Sequence, residues 1–194
     1  ADNVAIGYGA LTADDVGSRS IAIGSGALEA QNFATATNSY NTAVGHHAGN
    51  DVTTGTANTL IGGLAGDALT TGTLNTALGA SALSSDTLGS RSVAIGQGSL
   101  TTQNLTTATN TYNTAVGYGA GYATTTGTHN TLLGGESGDA LTVGNANVAV
   151  GFRTLSGDTK GDRNVAIGYE ALLNQNFTTS TDSYNVAVGY IAGQ

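Results

Sequence analysis

Eleven times along its 194 residues the chain spells Asn or Ser, then Val, Ile or Thr, then Ala or Leu, then Ile, Val or Leu, then Gly. The first copies are Asn3-Val4-Ala5-Ile6-Gly7 and Ser20-Ile21-Ala22-Ile23-Gly24, and the last is Asn185-Val186-Ala187-Val188-Gly189. The closing glycines fall at 7, 24, 45, 62, 79, 96, 117, 134, 151, 168 and 189, so the chain advances in steps of 17 or 21 residues. A unit this short cannot bury a core alone and must stack on its neighbours.

A second period lies over the first. Steps of 17, 21, 17 and 17 sum to 72 residues, and Gly7, Gly79 and Gly151 open equivalent blocks. The residue four after each closing glycine runs Leu11, Leu28, Gly49, Gly66, then Leu83, Leu100, Gly121, Gly138, then Leu155, Leu172, Gly193. Each long step carries the same insertion: Gln31-Asn32-Phe33 ending in Tyr40, Gln103-Asn104-Leu105 ending in Tyr112, and Gln175-Asn176-Phe177 ending in Tyr184. Residues 1–194 therefore read as a single repeat domain of eleven coils, with super-repeats beginning near 3, 75 and 147.

A β-branched run closed by glycine is a short strand ending in a sharp turn. In every 17-residue step a second glycine stands three residues before the next motif, as at Gly17, Gly55 and Gly72, which predicts a second turn and a second strand. Seventeen residues leave no room for a crossover helix. Successive copies must stack directly, giving an all-β parallel β-roll (β-solenoid) of 17/21-residue coils. At about 4.8 Å per coil the rod is roughly 50 Å long.

Along the motif, the second and fourth side chains point to one face and the third to the other. The fourth column is wholly aliphatic, from Ile6 to Val188, and the third is Ala5, Ala22, Ala43, Leu60, Ala77, Ala94, Ala115, Leu132, Ala149, Ala166 and Ala187. Both faces are apolar, yet a coil has one interior, so the other face must meet a partner. The simplest partner is an identical chain in register about an axis parallel to the rod. The alanine column is then either interior packing or the seam between chains, and periodicity leaves the choice open.

Composition narrows function. The 30 glycines lack collagen's every-third spacing, and cysteine, proline, methionine and tryptophan are absent, which removes disulfides, thiol nucleophiles and cysteine-ligated metal. With 5 basic against 13 acidic residues there is no patch to neutralise phosphates, so nucleic acid is not an expected partner. No apolar run is long enough for membrane insertion of this segment. The chain starts without Met and enters the repeat by its third residue, which reads as a mature or excised piece of something longer.

The recurring Asn/Ser-Val-Ala-Ile-Gly followed by x-x-Ala resembles the head repeat of the YadA-like trimeric autotransporter adhesins, across essentially all of residues 3 to 193. Related repeats occur in trimeric phage tail fibres. The resemblance implies a left-handed parallel β-roll packed as a homotrimer, and an extracellular place on a bacterial surface or a virion. It departs from those heads in its longer coils and in the Gln-Asn insertion.

No residue set looks catalytic, because polar residues either recur as ladders or vary freely between equivalent positions; no enzyme activity, cofactor or metal is expected. His46 aligns with Tyr118 and Tyr190, and His129 with Ala57, so the histidines read as turn residues. The Gly-x-Gly pairs never complete a phosphate loop. The sequons at Asn104 and Asn176 and the Lys160-Gly161-Asp162 tripeptide are chance patterns in such a chain. Asp14, Asp86 and Asp158 each precede Arg19, Arg91 and Arg163 by five residues, which predicts structural ion pairs. The candidate interaction surface is the insertion, namely Gln31, Asn32, Phe33 and Tyr40, Gln103, Asn104, Leu105 and Tyr112, and Gln175, Asn176, Phe177 and Tyr184. Amides beside aromatics suit carbohydrate contact, with a packed loop as the plainer alternative. The functional expectation is a structural and adhesive module of an extracellular trimeric fibre that contacts a cell-surface glycan or protein. A segment of a phage tail fibre is the alternative, and an ice-binding solenoid is disfavoured because acidic residues interrupt the threonine-rich turns.

Overall fold

The computed structural model describes residues 2–194. Eleven three-residue strands, from Val4–Ile6 to Val186–Val188, pair in sequence order into one parallel sheet. Equivalent motif positions lie opposite one another: Val4 opposite Ile21, Ala5 opposite Ala22, Ile6 opposite Ile23. A 21-residue step keeps this register, with Ile21 opposite Thr42, so the four extra residues loop out without shifting the rung. The β-solenoid of eleven coils expected from the steps is what the chain forms. The second strand of each step forms only at the three insertion levels, where Gly17–Ser18 pairs with Thr37–Asn38, Gly89–Ser90 with Thr109–Asn110, and Gly161–Asp162 with Thr181–Asp182. Elsewhere isolated bonds connect the coils, such as Thr53 N to Thr70 O and Thr70 N to Thr87 O, both 2.9 Å.

The two glycine columns serve different needs. The closing glycines have φ near +130°, and a methyl group on Gly62 would lie 2.5 Å from the carbonyl oxygen of Gly79 in the next coil. Conformation and contact thus both demand glycine there. The second column does not use left-handed backbone, contrary to the reading of every repeated glycine as a turn. Gly144 is needed because a Cβ would lie 2.5 Å from the oxygen of Gly161 and 2.8 Å from Leu141. Much of the left-handed backbone falls instead on larger residues, including Leu28 (φ 49°), Leu100 (φ 48°) and Arg91 (φ 64°). Such a residue costs about 1–2 kcal/mol. Leu28 and Leu100 are fully buried, which contributes about 1.5–3 kcal/mol each and offsets the strain.

Inside the roll, the first motif residue forms a polar ladder. Asn130 donates from Nδ2 to the oxygen of Gly144 (2.8 Å), its Oδ1 accepts from the amide of Asn147 (2.9 Å), and its own amide donates to Asn113 Oδ1 (2.9 Å). The same links join Asn41, Asn58 and Asn75. Each buried asparagine therefore fastens its coil to the next one through the backbone.

The 72-residue period is a period of interior chemistry. The residue seven after each closing glycine runs Asp14, Gln31, Val52, Leu69, then Asp86, Gln103, Thr124, Leu141, then Asp158, Gln175, so two polar layers alternate with two largely apolar ones. In the apolar layers Leu60 reaches between Gly49 and Gly66, where an added Cβ would sit 2.6 and 2.8 Å from its methyls; Leu132 does the same between Gly121 and Gly138. A leucine in the motif thus requires glycines in its own coil and in the preceding one.

The structure assigns the two faces. From Ala22 to Ala187 the third column is buried within the single chain, so these residues, with Leu60 and Leu132, are interior packing. The alanine column is not a surface available to a partner and forms no seam between chains. Only Ala5, on the first rung, is exposed. The second and fourth columns point outward and none of their residues is buried. Alanine fits inside because the neighbouring leucines and the Asp/Gln layers already fill the narrow coil.

Two substitutions test this construction. Gly144→Ala should lower stability by at least about 1–3 kcal/mol through overpacking. Asn130→Ala, which strands a buried carbonyl and a buried amide, should cost about 2–4 kcal/mol. Thermal or denaturant unfolding of each variant beside wild type measures both effects.

Candidate functional site

The three insertions are anchored from within. Gln103 Nε2 donates to Asp86 Oδ2 (2.5 Å) and Ser92 Oγ (2.9 Å), while its Oε1 accepts from Asn113 Nδ2 (2.8 Å). Gln31 repeats this with Asp14, Ser20 and Asn41. Gln175 binds Asp158 and Asn185. Gln31 and Gln103 are fully buried, and Phe33 and Leu105 nearly so, so four of the twelve candidate interaction residues are wedged into the roll. Serine replaces asparagine at positions 20 and 92 in front of these glutamines, and its hydroxyl accepts from the glutamine amide.

What the insertions show to solvent is smaller. Asn32, Asn104 and Asn176 are exposed; Asn104 and Asn176 accept from Thr87 and Thr159 on the adjacent coil. Tyr40, Tyr112 and Tyr184 are about half exposed, and each carries an arginine over its ring, with Arg19, Arg91 and Arg163 at 5.6, 5.7 and 5.6 Å from the centroids. This replaces the Asp–Arg pairs predicted at five-residue spacing. The aspartates turn inward, where Asp14, Asp86 and Asp158 accept from the amides of Gly17, Gly89 and Gly161. The arginines stay outside, held left-handed by the turn, and Arg163 pairs with Asp182 across the insertion.

Ion pairing that the spacing did not reveal runs from coil to coil. Arg153 lies 3.6 Å from Glu136 and 3.3 Å from Glu170, in one column two residues after the closing glycine. The 17-residue separations on either side were the available signal. Phe152, Tyr169 and Tyr190 stack one residue earlier in the turn, with centroids 5.7 and 5.3 Å apart. His46 and His47 stack on each other at 4.1 Å, and among the described residues no group of three or more His, Asp or Glu side chains is placed to hold a metal ion.

Two larger surfaces remain. One is the outward sheet face, where Val4, Ile6, Ile21, Leu78, Ile167 and Val188 stay exposed. The other is a cavity of about 440 Å³ on the turns of the middle block, bordered by Gln97, Thr101, Tyr118, Tyr122, Glu136 and Asp139. Asp139 and its equivalent Asp67 each bury one carboxylate oxygen, Oδ1, with no hydrogen-bond partner. Burial pushes the Asp67, Asp86 and Asp139 carboxyls above the ordinary range, against the donors that each accepts from. No protein-family model, curated protein or solved structure matches the chain.

Gln103→Ala should cost about 2–4 kcal/mol, whereas Tyr112→Ala, which removes a half-exposed ring, should change unfolding stability by no more than about 1 kcal/mol. The three raised carboxyls bind protons more tightly folded than unfolded, so their ionisation opposes folding. Their contribution improves as pH falls from neutral towards 3.8 and weakens as pH rises through the raised values. The thermal midpoint should accordingly rise on mild acidification, and Asp67→Asn should reduce that rise without loss of stability at neutral pH.

Proposed function

We propose that the chain is a non-enzymatic segment of an extracellular, homotrimeric attachment fibre, its three rolls packed along their outward sheet faces. The observation that carries this reading is the uncovered face itself. Parallel sheets are covered on both sides in folded proteins, because their strands are apolar on both. Here the third column is covered by the coil, while two outward columns of Val, Ile, Leu and Thr run the length of eleven strands uncovered.

An identical chain is the best match for such a surface. Its columns rise by the same increment per coil, so every rung finds an equivalent rung and the apolar contact continues along the rod. A cyclic arrangement closes, leaving turns and insertions to face solvent. Rigid rods of this kind hold a surface away from their point of attachment and repeat it at fixed levels. The resemblance to trimeric adhesin heads supports the same arrangement, and attachment to a cell-surface glycan or protein is the role that follows.

The mass in solution tests the assembly. Light scattering should return about three times 19.1 kDa for the purified protein, and a stable particle of 19.1 kDa overturns the proposal. Ile95→Lys, on the outward face, should give folded monomers. Ala94→Gln, one residue earlier and fully buried, should instead disrupt the coil, with loss of β-structure by circular dichroism.

A further inference from the structure

In a scaffold whose interior, turns and ladders repeat, a set of residues that does not repeat marks a place where folding alone does not dictate the choice. The clearest such place is the cavity beside Tyr118 and Tyr122. Its floor is Gly98, where an added Cβ would meet only Thr101 Oγ1 at 3.5 Å and Tyr122 Cδ2 at 3.8 Å. The equivalent level of the first block is closed. There Asn50 donates to the oxygen of Gly26 (3.0 Å) and to Glu29 Oε2 (3.1 Å), and His47 crowds the glycine at 2.6 Å from where a Cβ would stand. In the third block Glu170 takes the place of the glycine. Replacing Glu29 by Thr101 and Asn50 by Tyr122 opens the depression and lines it with aromatic surface.

We infer that this cavity is a binding subsite for an uncharged saccharide, with Tyr118 and Tyr122 as the stacking surfaces and Gln97, Thr101, Glu136 and Asp139 as the hydroxyl partners. Pyranose rings present C–H faces that pack on aromatic rings and rims of hydroxyls that need both donors and acceptors. Tyrosine is suited to this role because one end is apolar and the other wet. Gln97 supplies an amide that donates and accepts, Thr101 a hydroxyl, and the carboxylates strong acceptors. Glu136 and Asp139 set two carboxylates against the single Arg153, 3.6 Å from Glu136, and this excess of negative charge disfavours phosphate, sulfate and other anionic ligands. The volume of about 440 Å³ lies in the range of small-molecule sites.

The inference rests on the attachment reading, for which it names the ligand class and the place. The probe is a panel of neutral oligosaccharides, namely cellohexaose, maltohexaose and N-acetylated chitohexaose, with sialyllactose and heparin as charged comparators. Saturation-transfer NMR is measured on the assembled protein. The key variant is Thr101→Glu with Tyr122→Asn, which installs the pair that already closes the first block as Glu29 and Asn50 and so is compatible with the fold.

Wild type should transfer saturation to a neutral oligosaccharide, the double variant should weaken binding at least about tenfold, and Tyr190→Ala should bind as wild type does. Absence of transfer to every neutral probe, transfer to charged probes alone, or undiminished binding by the double variant overturns the site. Cell or glycan-surface attachment that survives the double substitution removes this site and leaves the attachment reading standing. Sugar binding by a protein that attaches to no surface does the reverse.

Discussion

Everything in this fold depends on how closely one coil can approach the next at its closing glycine. The strand that precedes it is only three residues long and has little hold of its own. Stacking succeeds because backbone meets backbone with no side chain between, as at Gly62 above Gly79, and because the asparagine ladder closes the other end of the same strand. Between these fixed points the chain carries left-handed leucines and arginines, insertions of four residues, and acids buried among amides. The tightness of the stack limits what can vary, and the turns are where variation collects.

The stack was legible in the sequence because glycine leaves a mark that nothing else imitates. The spacing of Gly7, Gly24 and Gly45 gave the coil lengths, and alternation across Val-Ala-Ile showed two apolar faces. The sides of those faces were not legible: alanine suits a narrow interior and a close interchain seam equally well. The structure decides it through residues that the motif does not contain, Leu28, Leu69 and Gln103, which occupy the interior opposite the alanines.

The candidate interaction residues show where local reading runs out. Gln103 and Asn104 are adjacent and chemically alike, yet one is buried in a network with Asp86 and the other faces solvent. Asp86 and Arg91 share a turn and have opposite charge, but the aspartate bonds the amide of Gly89 while the arginine lies over Tyr112. In both cases the column seven after the closing glycine held the signal. Read down the coils, it places Asp beside Gln and Val beside Leu, which separates interior from exterior better than any neighbour in sequence.

Those alternating layers also fix how such a rod can change length. Removing one 17-residue coil would part a buried Gln from its Asp, or a motif leucine such as Leu60 from one of the two glycines that make room for it. Removing 72 residues would restore every layer to its counterpart. Four coils, about 19 Å at about 4.8 Å per coil, are therefore the natural quantum of length for this interior. A lineage of such rods should differ in reach by whole blocks, each bringing one more insertion with its arginine-capped tyrosine.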